Sequence, residues 1–127
     1  MVTRRARSRA ALVEEIEDAA RAELAEVGAA ALSLRSVARR VGLAPSALYR
    51  YFDGRDGLLT ALIVQAFECL AAAVEGADDP GAPPGERWLA MGRAMRTWAV
   101  AHPQDWALVF GSPVPGYAAP ATTVPAG

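Results

Sequence analysis

Apolar residues recur along the first half of the chain every three or four positions, the repeat of an α-helix with one face turned to a core. Leu12, Ile16, Ala19, Ala20, Leu24 and Val27 predict a helix over 9–27. Glu14, Glu15, Glu17, Asp18, Glu23 and Glu26 fill its other face. Gly28 suits the position just past its end, where glycine takes a positive φ at little cost. Leu34, Val37, Ala38 and Val41 predict a second helix over 34–41, with Ser33 as N-cap. Arg35, Ser36, Arg39 and Arg40 fall outside that stripe and read as surface. Gly42 stops the helix, and Pro45 suits the first position of a third, over 45–51. Its large buried candidates are Leu48 and one face of Tyr49 or Phe52.

The stretch 52–56 is a second break, with Asp53 placed to cap a fourth helix. That helix is predicted over 55–75, lined by Leu58, Leu59, Leu62, Ile63, Ala66, Phe67, Leu70, Ala73 and Val74. Residues 76–85, rich in glycine and proline, read as a linker. Helices over 86–101 and 104–110 come next, separated where His102 precedes Pro103. Residues 1–8 and 113–127 are expected to be loose ends without stable contacts. No strand-like alternation occurs, so the fold class is all-α: a three-helix head followed by a partial helical domain.

Composition supports this and narrows the function. Much of the 53% apolar share is alanine, the best helix former. The net charge of −1 hides an asymmetry. Residues 1–60 hold ten Arg against eight acids, and residues 61–127 three Arg against six acids. Arg4, Arg5, Arg7 and Arg9 precede the first acid, Glu14. Such a cluster is either a solvated tail or a phosphate-neutralising one, and the two are compatible. One Cys, Cys69, and one His, His102, leave no disulfide within the chain and no ordinary zinc site. Cys69 reads as a small buried hydrophobe, and His102 as a helix-end residue. No run nears the length of a membrane span, so a soluble, cytoplasmic protein is the expectation. No cofactor is implied.

Helix 2, a glycine turn and helix 3 make a helix-turn-helix. Small residues, Ala38 and Gly42, let the helices cross closely. Leu34, Val37, Val41 and Leu48 anchor the crossing. Ser46, Tyr49, Arg50 and Tyr51 then face a groove. At this point residues 32–52, LSLRSVARRVGLAPSALYRYF, with the adjoining DGRDGLL, resemble the TetR family of bacterial transcriptional repressors. The Leu-Tyr-x-x-Phe element at Leu48, Tyr49 and Phe52 is the specific part. Farther on, Trp88, Gly92, Trp98, His102-Pro103 and the run from Phe110 to Tyr117 are similar, more weakly, to a regulatory domain found in such proteins. Two departures stand out. Ala44 occupies the place where the family usually caps helix 3 with Ser or Thr, so helix 3 should fray or lean on Pro45. The chain also stops at Gly127, where the family usually continues with several more helices, the last two building the dimer interface.

The resemblance implies roles residue by residue. Arg35 would reach a base edge or a phosphate. Ser46, Ala47 and Arg50 would face the major groove of operator DNA, and Tyr49, Tyr51 and Arg55 would hold phosphates, helped by the start of helix 4. Tyr49 has a second reading, packing its ring under helix 1. Phe67, Trp88, Met91, Met95, Trp98 and Phe110 would line a pocket for an apolar small-molecule effector; core packing is the competing reading for the tryptophans and methionines. The domains expected are 9–54 for the helix-turn-helix, 55–112 for the partial regulatory part and 113–127 for the tail. A homodimer is implied for a longer form, and weak, monomer-like binding for this chain. Three other readings stand beside a ligand-controlled repressor. A DNA-binding module without sensing lacks the effector, and a helical interaction protein lacks the DNA. An enzyme is disfavoured by a single His, a single Cys, no clustered acid pair and no glycine-rich phosphate loop.

Overall fold

The structure, a computed structural model, describes residues 4–120. Those residues form six α-helices and one 3₁₀ turn, with no strand among the described residues: α1 (Arg4–Val27), the 3₁₀ turn Ala29–Ala31, α2 (Leu34–Val41), α3 (Pro45–Leu48), α4 (Gly54–Ala77), α5 (Pro84–Ala101) and α6 (Pro103–Phe110). The all-α reading holds. Two compact units divide the chain within α4. One contains the residues up to Leu62 together with Val114–Ala118; the other contains Ile63–Pro113.

The first unit is built on α1. Ile16, Ala20 and Leu24 are buried, four residues apart on one stripe. Leu34, Val37 and Ala38 of α2, Leu48 of α3 and Leu58, Leu59 and Leu62 of α4 complete this core. Ser33 caps α2 as expected: its Oγ accepts from the Ser36 backbone N–H at 3.1 Å. Gly42 ends it in the left-handed region, φ 72°. The Leu43 N–H donates to the Ala38 carbonyl at 2.9 Å and the Gly42 N–H to that of Arg39 at 3.3 Å. This paired closure needs a residue that takes positive φ without strain.

α1 starts at Arg4 rather than residue 9. Alanines 6, 10 and 11 and the four arginines are good helix formers, which explains the extra turn. The expected loose segment 1–8 is therefore helical from Arg4; residues 1–3 lie outside those described. Arg40 is a second correction. It does not project into solvent alone: its Nε donates to Glu23 Oε2 at 2.6 Å and its Nη2 to Glu26, tying α2 to α1. Glu23, 8% exposed, is thereby satisfied. The two carboxylates hold the Arg40 guanidinium further toward its charged form.

α4 is longer than predicted and corrects a third expectation. It has 24 residues, and its most apolar window reaches a mean hydropathy of 1.9. By length and composition it could cross a membrane. It serves as a core helix in both units, however: Leu58, Leu59 and Leu62 are buried in the first, and Ile63, Ala66 and Leu70 in the second.

In the second unit, Ala66, Leu70 and Trp98 form the buried centre, with Trp106 and Val109 packed against it. The Trp98 Nε1–H donates to Cys69 Sγ at 3.3 Å, and Trp98 stacks on His102 at 5.0 Å between centroids. Cys69 is exposed, not buried as expected: α4 turns Ala66, Leu70, Ala73 and Val74 toward this core and leaves position 69 outside it. His102 does sit at a helix end, between α5 and α6. The linker is shorter than predicted, since Pro84 starts α5 as its first residue.

Arg87 spans the linker. Its Nε and Nη2 meet the two carboxylate oxygens of Asp78 at 2.7 and 2.8 Å. That two-point hydrogen bonding holds the Asp78 carboxyl below its ordinary range. A carboxylate whose pKa is lower folded than unfolded stabilises the fold above its unfolded pKa and loses that contribution as pH falls through the folded value. Asp78→Asn should therefore lower the melting temperature at pH 7. The gap to the wild type should close on acidification below the usual carboxylate range. An equal gap at pH 7 and pH 2.5 contradicts this.

Candidate nucleic-acid interface

Helix α3 is four residues long, not seven. Ala44 offers no capping side chain, and Pro45 alone starts the helix. After Leu48 the backbone tightens: the Tyr51 N–H donates to the Leu48 carbonyl at 2.9 Å, three residues back, and the Phe52 N–H to the same carbonyl at 3.0 Å. The recognition segment is thus one helical turn plus a hydrogen-bonded turn through Tyr51. Leu48 is fully buried, and Phe52 is 8% exposed. These two point inward and leave Tyr49 and Arg50, between them, exposed.

Tyr49, 61% exposed, does not pack under α1. Ser46 and Arg50 are exposed as well, and Ala47 is half-buried behind them. Arg35 is exposed on the first turn of α2. The outward groups are a hydroxyl, a phenol and guanidinium groups, all able to donate to phosphate or to base edges. Tyr51 is half-buried, and the Arg9 guanidinium lies over its ring, 5.1 Å from the centroid. Sequence reasoning assigns Arg9 no individual role. Its place in the N-terminal arginine cluster is the available signal, but the ring that it covers lies 42 positions away in sequence.

Arg55, expected at a phosphate, is also engaged within the fold. Its Nε donates to the Leu32 carbonyl at 3.0 Å. Its Nη2 donates to the carbonyls of Ala29, at 2.8 Å, and Ala30, at 3.2 Å, and its Nη1 to that of Pro115, at 3.4 Å. A guanidinium has five N–H donors, so one remains for a phosphate. The side chain is committed to the connector between α1 and α2.

The residues expected to line a pocket divide into two groups, all within the second unit. Trp88, Met91 and Met95 share a half-open apolar groove of about 290 Å³ with Val74 and Gly92. Trp88 is 75% exposed, so it is not a core residue. Phe67 and Phe110 instead meet edge to face at 5.9 Å, and Trp98 is buried in the core cluster. Helical spacing collects 88, 91 and 95 on one face of α5. It says nothing about which face of α4 meets them, and for that reason spacing alone does not single out Val74.

Comparison with known proteins fits this geometry. The family model for bacterial regulatory proteins of the tetR family matches residues 16–62, and a tetracyclin repressor-like C-terminal domain matches residues 88–127. The chain is 45% identical over 123 residues to the HTH-type transcriptional regulators Rv1816 of Mycobacterium tuberculosis and Mb1846 of Mycobacterium bovis. Each match covers 94% of this chain and 52% of the relative, so the chain spans about half the length of those proteins. The crystal structure of the regulatory-protein candidate SCO4313 superposes with a TM-score of 0.87 at 43% identity, over 98% of this chain and 59% of that one. A protein of unknown function from Rhodococcus sp. RHA1 gives 0.73 at 32% identity, over 90% and 59%. With both halves matched to that family's domains, and the helix-turn-helix in place between α2 and α3, the chain belongs to the tetR family of bacterial regulatory proteins.

Proposed function

We propose that this chain is the DNA-binding part of a cytoplasmic transcriptional regulator, a repressor, that reads operator DNA with α3 and the turn after it. One observation carries the reading. The burial of Leu48 and Phe52 turns Ser46, Tyr49 and Arg50 outward together on a short segment. Ser46, Ala47 and Arg50 are assigned to base edges in the major groove, where an Arg can bond guanine O6 and N7 at once. Arg35, Tyr49 and Tyr51 are assigned to the flanking backbone, where contacts position the protein without reading sequence. Residues 9–54 are the DNA-binding domain in this scheme, and 55–112 the controlling one. The groove of Val74, Trp88, Met91, Gly92 and Met95, almost entirely apolar, suits an apolar small-molecule effector. A homodimer of a longer form would place two heads on half-sites about 34–36 Å apart, or a multiple of that.

Titrating the 127-residue chain against a duplex from upstream of its own gene, at two salt concentrations, tests the reading. Binding should be weak and should fall steeply with salt, as displaced counterions require. Absence of salt-dependent binding to any duplex refutes DNA binding by this chain.

A further inference from the structure

Of the segment 113–127 expected to trail free after α6, Val114–Ala118 instead belongs to the first unit, and residues 121–127 lie outside those described. Val114–Ala118 closes on itself through the Tyr117 N–H, which donates to the Val114 carbonyl at 3.1 Å, with Gly116 at φ 75°. Tyr117 and Val114 are half-buried. The Tyr117 hydroxyl lies 2.8 Å from Thr60 Oγ1 on α4. Thr60 has one hydroxyl hydrogen, and that is given to the Asp56 carbonyl at 2.8 Å. Tyr117 is therefore the donor in the pair. Two residues earlier in the segment, the Pro115 carbonyl accepts from Arg55, the side chain that also binds Ala29, Ala30 and Leu32. Leu32 immediately precedes Ser33, the cap that starts α2. One guanidinium thus joins the segment to the entry of the helix-turn-helix.

We propose that Val114–Ala118 is a strap that positions the helix-turn-helix for DNA: seated on Thr60 and Arg55 it holds the connector into α2, and its release lowers DNA affinity. The strap comes after α6 by three residues, Gly111, Ser112 and Pro113, so the chain that forms the effector-facing unit also carries the strap. Arg55 and Tyr117 are positioning residues; neither is assigned to the DNA. The proposal rests on the reading of the head as a DNA-binding unit.

Tyr117→Phe removes one donor and leaves Thr60 bonded to Asp56, so the fold is not threatened. Gly116→Ala loosens the same turn by another route, since a side chain at φ 75° is strained although nothing lies within 4 Å of the added carbon. Hydrogen exchange, duplex affinity and the melting temperature are measured together on the full chain. Each variant should speed exchange at the amides of Tyr117 and of residues 32–37. Each should weaken duplex binding about two- to tenfold, the range set by one hydrogen bond, with a near-wild-type melting temperature. In a cycle with Thr60→Val, Tyr117→Phe should add little once Thr60 is gone. Wild-type exchange in both variants overturns the strap itself. Faster exchange confined to 114–118, with unchanged affinity, overturns its hold on the connector. If the wild-type chain binds no duplex, the DNA-binding reading fails instead, and the exchange at 32–37 alone decides whether the strap holds the connector.

Discussion

Leu48→Ala should cost the first unit about 2–5 kcal/mol, the range for removing a buried leucine from a close-packed core. Leu48 is fully buried and is the sole buried residue of α3. A four-residue helix has no intrinsic stability, because nucleation is not repaid in one turn. Without an N-cap side chain, α3 depends on this one anchor more than a longer helix would. A domain of this size is stable by only about 5–15 kcal/mol, so the loss is a large fraction of the total. The three tryptophans, Trp88, Trp98 and Trp106, all lie in the second unit. Urea unfolding monitored by far-ultraviolet circular dichroism should therefore move to lower urea by more than unfolding monitored by tryptophan emission. Duplex binding should fall with it. A stability loss under about 1 kcal/mol would show that α3 is held by something other than Leu48.

Features set by local forces are the ones legible in the sequence. The stripe of Ile16, Ala20 and Leu24, the Ser33 cap and the Gly42 stop are written within single helical turns, and each is found where spacing put it. The exposure of Ser46 and Arg50 is legible too, because burying Leu48 and Phe52 fixes the face. Partners across the fold are a different matter. Arg55 reads as a phosphate ligand from its place at the start of α4, yet three carbonyls 23 to 26 residues upstream claim it. Arg40 reads as solvated until α1 brings Glu23 beside it. Tyr117, in a run dense with proline and glycine, reads as disordered, and only the fold supplies Thr60 as its acceptor. In each case a polar side chain found a long-range partner that no periodicity encodes. The same holds for the exposed Trp88: an apolar stripe announces that a face exists, not that a second element covers it.

Arg50 and Arg55 should separate when each is changed to alanine. Arg50 is exposed and makes no ion pair or hydrogen bond through its side chain among the described residues, so its guanidinium is free for a groove. If it bonds a guanine, Arg50→Ala should cost about 1–3 kcal/mol of discrimination, or about 5- to 150-fold between the preferred duplex and a scrambled one. Melting should be unchanged, because nothing in the fold depends on that side chain. Arg55→Ala should do the reverse. It strips hydrogen bonds from the carbonyls of Ala29, Ala30 and Leu32, and charge-assisted bonds of this kind are worth about 1.5–3 kcal/mol. The melting temperature should fall, and affinity for preferred and scrambled duplexes should drop by the same factor. The salt dependence is the deciding measurement. A phosphate ligand contributes about 0.9 to the slope of log K against log salt, whereas a side chain that only holds the connector contributes nothing. An unchanged slope in Arg55→Ala confirms it as a clamp on the entry to α2. A slope reduced by about 0.9 returns it to the phosphates. Equal losses on all duplexes for Arg50→Ala remove that residue from base readout.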